Sequence, residues 1–151
     1  MSADDNVAEG SPHPSNSADQ LAAEAAILAA LELALGVTLE QGTRIALGDS
    51  HVYPDGVTAD RSVFVEVFAR IGTLRGGQRH KVSTDALKLL AIRDVFPGAR
   101  LILAFADGQA AASVSGWKAD ALRSNDIEIH TVDLTAAERA TLKAAQARQR
   151  R

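Results

Sequence analysis

The stretch Tyr53–Arg70, YPDGVTADRSVFVEVFAR, decides the fold. β-Branched and aromatic residues fill two short arms, and the pattern predicts two strands folded back on each other. One residue disagrees with its surroundings: Glu66 stands in the middle of VFVEVF. Placing the reversal at Asp60–Arg61 sets Ala59 opposite Ser62, Val57 opposite Phe64 and Asp55 opposite Glu66. Facing residues project from the same side of a sheet, with Cβ atoms about 5 Å apart. Two ionised carboxylates at that distance repel by about 3 kcal/mol at an effective dielectric of 20. A shared proton, a neighbouring cation or a divalent metal such as Mg²⁺ has to compensate. A slip of one residue brings Asp60 to the site in place of Asp55, or turns Glu66 to the other face. A purely structural alternative pairs Glu66 with Arg70, Arg79 or Lys81.

Outward from the hairpin, residues 1–17 are polar and rich in Ser, Pro, Asp and Asn, which predicts a disordered tail. Residues 18–144 read as one domain and 145–151 as a basic tail ending in ARQRR, able to meet nucleic acid or acidic partners. A helix is expected from Ser17 or Asp19, with Leu21, Ala25, Leu28, Leu31 and Leu35 on its apolar stripe and Gly36 at its exit. TRIAL and HVY follow as short extended pieces around Gly48-Asp49-Ser50. In RGGQRHKVSTDALKLLAIRDVF the period changes to helical, with Val82, Ala86 and Leu89 covering the sheet. ARLILAFAD is apolar throughout, as in a strand buried on both faces. A helix around AAASVSGWKADALRS, with Trp117 in the core, a strand IEIHTVDL and a helix capped by Thr135 and Glu138 complete the chain. The order is helix, three-strand β-meander, helix, strand, helix, strand, helix. It predicts an α/β mixed sheet with helices on both faces.

Cysteine is absent, which excludes disulfides and thiolate metal sites and makes the cytoplasm the default location. The polar N-terminus does not read as a signal peptide, and no apolar run is long enough to span a membrane. A net charge of −3 argues against a generally basic nucleic-acid binder while leaving room for a local basic patch. The Ala-rich, Arg-over-Lys composition suggests a bacterial, GC-rich genome.

Pro54-Asp55 at a strand edge, a short hairpin and Glu66 in an apolar strand together resemble the restriction-endonuclease-like nucleases, the PD-(D/E)XK superfamily. The element order over roughly residues 18–135 resembles that family's core as well. The resemblance implies a nuclease cleaving phosphodiester bonds with Mg²⁺, or Mn²⁺ in its place. Asp55 and Glu66 would be the metal ligands, with the Val67 carbonyl beside them. The family's usual lysine lies two residues after the Glu, where this chain has Phe68. Some members carry it on the following helix, where Lys81 would orient the attacking water and Gln78 would bond the same water or a phosphate. Glu24 resembles a further acidic position of the family. The loop GTLRGGQ reads as a flexible lid carrying Arg75 and Arg79 toward nucleic acid. Against this stands a non-catalytic member of the same fold, a binding or scaffold module for which a homodimer is one expected form. In that case Lys81 and Asp85 form an ordinary surface pair, and Glu24 is a solvated charge.

Overall fold

The computed structural model describes residues 14–149. Helix α1 spans Pro14–Leu35, so residues 14–17 of the expected tail belong to it, while residues 1–13 lie outside the described residues. Proline fits the opening turn of a helix, where its missing N–H leaves no bond unmade. The helix ends as expected at Gly36, with φ +68, whose amide bonds Glu32 O. The buried stripe is Ile27, Leu28 and Leu31, whereas Leu21 is 62% exposed, contrary to expectation.

Strands β1 (Ile45–Leu47) and β2 (Ser50–Val52) form an antiparallel hairpin that is a sheet of its own. The expected three-strand meander is therefore interrupted. Pro54 follows β2 and has no N–H to continue a ladder. The main sheet has the order β3-β4-β5-β6, with β3 at Gly56–Val57, β4 at Val63–Phe68, β5 at Arg100–Phe105 and β6 at Ile127–Thr131. β3 runs antiparallel to β4, and β4, β5 and β6 are mutually parallel. Helix α2 (Gly76–Val95) connects β4 to β5. α3 (Gly108–Ala112) and α4 (Gly116–Ser124) connect β5 to β6, in place of the single helix expected there. α5 (Ala136–Gln149) closes the fold and absorbs most of the expected basic tail.

Two cores flank the sheet. Phe64, Phe68, Leu101, Leu103 and Phe105 face Val82, Leu89 and Ile92 of α2. Val63, Val65, Val67, Ile102 and Ala104 face Ile27 and Leu31 of α1 and Leu142 of α5. Each large apolar side chain so enclosed contributes about 2–3 kcal/mol of transfer free energy. Trp117 is outside both cores and 73% exposed, because Leu122, one and a half turns further along α4, fills the place expected for it. Gly56 lets α1 lie close on β3: a Cβ there would stand 2.8 Å from Leu28 Cδ2. That close approach sets Glu24, one turn before Leu28, beside the β3–β4 hairpin.

Candidate active site

The hairpin register is the one the sequence predicts, with Gly56 opposite Val65 and Val57 opposite Phe64. Thr58 N–H donates to Val63 O at 3.1 Å, and Arg61 takes the positive φ of +61 that the reversal demands. Asp60 is spent on the turn, accepting from Ser62 N–H at 3.1 Å and Ser62 Oγ at 2.6 Å. It is exposed and forms no part of the site.

Asp55 and Glu66 converge, and each holds the backbone of the other arm. Asp55 N–H donates to Glu66 Oε2 at 3.1 Å, and Val67 N–H donates to Asp55 Oδ2 at 2.8 Å. Glu66 is 1% exposed. On β4 it shares a face with Phe64 and Phe68, so it looks toward α2. Burial, then the charge of Asp55, push its carboxyl up to about 8. The opposing influence is Lys88, whose ammonium forms an ion pair with Glu66 Oε1 and reaches Tyr53 O at 3.3 Å. Oε1 otherwise has no hydrogen bond of ordinary geometry. Burial pulls the Lys88 ammonium down, but its bond and attraction to Glu66 outweigh this, and the net shift is upward. None of the cations expected beside Glu66 (Arg70, Arg79, Lys81) occupies this position. Lys88 fills it, and its reach back to Tyr53 and Glu66 is set by tertiary packing that helical spacing does not carry.

Lys81 does turn inward. Its Nζ donates to Val67 O at 3.0 Å and to Asp85 Oδ2 at 2.6 Å, and sits 4.1 Å from the Phe68 ring centroid. The expected surface pair is thus partly enclosed, with Asp85 6% exposed. The polar and apolar sides of α2 are not cleanly separated. Asp85 is buried along with Val82 and Leu89. Phe68 itself stacks on Phe105 at 4.7 Å and is core.

Glu24 lies within electrostatic reach of both Asp55 and Lys81. Burial, then Asp55, raise its carboxyl, while Gln20 and Lys81 lower it. Glu24, Val67, Gln78, Lys81 and Arg70 line a cleft of about 150 Å³ at the carboxyl end of β4, bounded by α1, α2 and α5. Asp55 and Glu66 lie behind its wall rather than on it. Gln78 is engaged as a helix cap, its Oε1 accepting from Arg75 N–H at 3.1 Å. Arg79 Nε donates to Leu74 O at 3.2 Å, and Arg75 is exposed at the start of α2.

The loop expected to be a flexible lid is tied down by three side chains, two from the ends of α3 and one from α5. Gly72 N–H donates to Asp107 Oδ2 at 2.8 Å and Leu74 N–H to Ser113 Oγ at 3.2 Å. Gln146 clamps Ile71 at both backbone groups, accepting from N–H at 2.6 Å and donating to O at 3.2 Å. Asp107 is in turn held by Arg139 at 2.7 Å. Burial raises the Asp107 carboxyl, but Arg139 and the Gly72 amide outweigh it, leaving it below its ordinary value.

Among the described residues no three His, Cys, Asp or Glu side chains form a cage for a metal ion. The donors available are two hard carboxylates, and an ion at the buried Oε1 of Glu66 has to displace the Lys88 ammonium paired with it. That set fits Mg²⁺, which takes one or two protein carboxylates and completes its shell with water and phosphate oxygens. No helix of the described residues is long and apolar enough to cross a membrane. Comparison of the chain with protein-family models, curated proteins and solved structures finds no match.

Proposed function

We propose that this domain is a metal-dependent nuclease of the restriction-endonuclease-like kind, cleaving nucleic-acid phosphodiester bonds. The observation that supports this most is the meeting of three groups from different elements: Asp55 before β3, Glu66 on β4, and the Lys81 ammonium of α2 at the Val67 carbonyl. Asp55 and Glu66 would hold the ion. A divalent ion held there supplies an acidified water and a counter-charge for phosphate oxygens. Lys81 has three N–H donors, of which Val67 O and Asp85 engage two. The third is left for a phosphate oxygen or the attacking water at the cleft. Phe68, at the usual lysine position, packs in the core, and the lysine role passes to α2. Glu24 stands on the far wall of the cleft, within electrostatic reach of Lys81. Arg75, at the exposed start of α2, is a contact for the phosphate backbone.

One observation favours the second reading, a non-catalytic nucleic-acid-binding or scaffold module: Lys88 already neutralises Glu66 from within. A titration with Mg²⁺ and Mn²⁺ followed by thermal unfolding separates the two, run beside cleavage assays on duplex and single-stranded DNA and RNA. Saturation at 100 times the dissociation constant stabilises the fold by about 2.7 kcal/mol. The nuclease reading expects that shift in the wild type, its loss in Asp55→Asn, and cleavage that Lys81→Met abolishes. Identical thermal shifts in wild type and Asp55→Asn, with no cleavage of any substrate, would leave only the binding module.

A further inference from the structure

Strand β6 is an edge that nothing in the described residues covers. It pairs with β5 alone. Val132 N–H donates inward to Phe105 O at 2.9 Å. The two-residue alternation of a strand then turns the backbone groups of Ile127, Ile129 and Thr131 outward. Exposed edges are ordinarily blunted by Lys, Pro or a bulge, and IEIHT has none of these. Its middle residue, Ile129, is 39% exposed.

We propose that a second copy of this chain pairs with β6, extending the sheet antiparallel across a two-fold axis at Ile129. The strand is self-complementary in that register. Ile129 meets its own copy, Ile127 meets Thr131, and Glu128 meets His130. The last pairing falls at the closer, non-hydrogen-bonded positions of the ladder. Glu128 is already an anionic centre: Arg100 binds it at 2.7 and 2.9 Å and His130 Nε2 lies 3.0 Å from Oε1. Hydrogen bonding by Arg100, then by His130, holds the Glu128 carboxyl at about 2. Across the axis each Glu128 gains the other copy's imidazole as a hydrogen-bond partner, so acceptor and donor alternate along the seam. The α1 side supplies the apolar part. Ala26, Ala29, Ala30 and Leu33 flank β6 in a groove of about 520 Å³, and Leu33 is 88% exposed. A two-fold axis perpendicular to the sheet keeps both α1 helices on one face, where the Leu33 side chains fill the groove between them.

Sedimentation of the full chain over a range of concentrations is the direct test. The wild type is expected to approach twice the chain mass. Ile129→Lys places two like charges on the axis and is expected to weaken association by about 100-fold or more, with the circular dichroism spectrum unchanged. Because the chain lacks cysteine, Ile129→Cys provides a second reading. Mild oxidation is expected to link this variant across the axis much faster than Thr141→Cys, an exposed position on α5. Monomeric wild type at every concentration overturns the proposal, as does equal cross-linking of the two cysteine variants. An Ile129→Lys protein that still dimerises also overturns it and moves the contact elsewhere, to the exposed Trp117 and Leu87.

Discussion

Lys88, from α2, neutralises one oxygen of Glu66, while the backbone amide of Asp55 holds the other. A carboxylate buried in an apolar strand is thereby tolerated, and the pair ties α2 to the hairpin. Breaking a buried pair by removing one partner ordinarily costs about 3–5 kcal/mol. Lys88 keeps 24% side-chain exposure, so water screens part of that, and Lys88→Met is expected to cost about 2 kcal/mol at pH 8.5. The cost is smaller at pH 5, where Glu66 takes up a proton in the folded state. Urea denaturation at the two pH values measures the difference.

The pH dependence of stability follows from two carboxyls of opposite behaviour. Glu66 has a folded value of about 8 against an ordinary 4.5. Between those values the folded state binds more protons than the unfolded one, so this group makes stability fall as pH rises. Glu128, held at about 2, contributes stability that is present above pH 4.5 and lost as pH falls toward 2. Glu66→Gln is expected to flatten the decline between pH 4.5 and 8 while leaving the acid limb intact. Equal slopes in the wild type and Glu66→Gln would show that another group carries the decline.

If the nuclease reading holds, the two α2 lysines separate in their effects. Lys81→Met is expected to lower cleavage by about 10²–10³-fold, the usual cost of removing one donor to a developing charge. Its unfolding midpoint also falls, because Asp85 is left buried without its partner, but the 41% exposure of Lys81 keeps that loss below the one at Lys88. Lys88→Met shows the reverse weighting, with a large stability loss and tighter Mg²⁺ binding, since the internal competitor for Glu66 is gone. Single-turnover cleavage and metal-dependent thermal shift distinguish them.

Gln146→Ala removes both bonds to the Ile71 backbone. With water able to reach part of the gap, the expected loss is about 1–2 kcal/mol. Faster hydrogen exchange at Ile71, before any change at Leu103 in the sheet, is the accompanying signature.

The hairpin was readable from the chain because a period of two leaves few registers open: once the turn is set at Asp60–Arg61, the opposition of Asp55 and Glu66 follows by counting. The strand-helix alternation after Phe68 was readable for a similar reason, since β5 has no polar face to show. Four features were not. The β1–β2 hairpin leaves the main sheet, and the outer edge of β3 is met instead by Glu40, which exchanges two backbone bonds with Val57; local apolarity does not register that pairing. Trp117 was expected inside because it is large, yet in a nine-residue helix the burial angle is set by the neighbours, and Leu122 holds it. Lys88 was visible as a polar residue on α2, but its partner depends on how the helix is rolled on the sheet. The loop 69–75 looked free because it contains glycines, while the side chains that tie it come from residues 107, 113 and 146.

Asp19 and Arg148 meet at 2.5 Å, bringing the opening and closing helices side by side. Asp19 and Gln149 both line the cleft rim. Joining α1 to α5 by a short flexible linker, with residues 1–13 and 150–151 left out, and reopening the chain at the exposed Gly48–Asp49 tip would yield a circular permutant with the same packing. In that rearranged chain the new ends lie on the β1–β2 hairpin, outside the lining of the cleft.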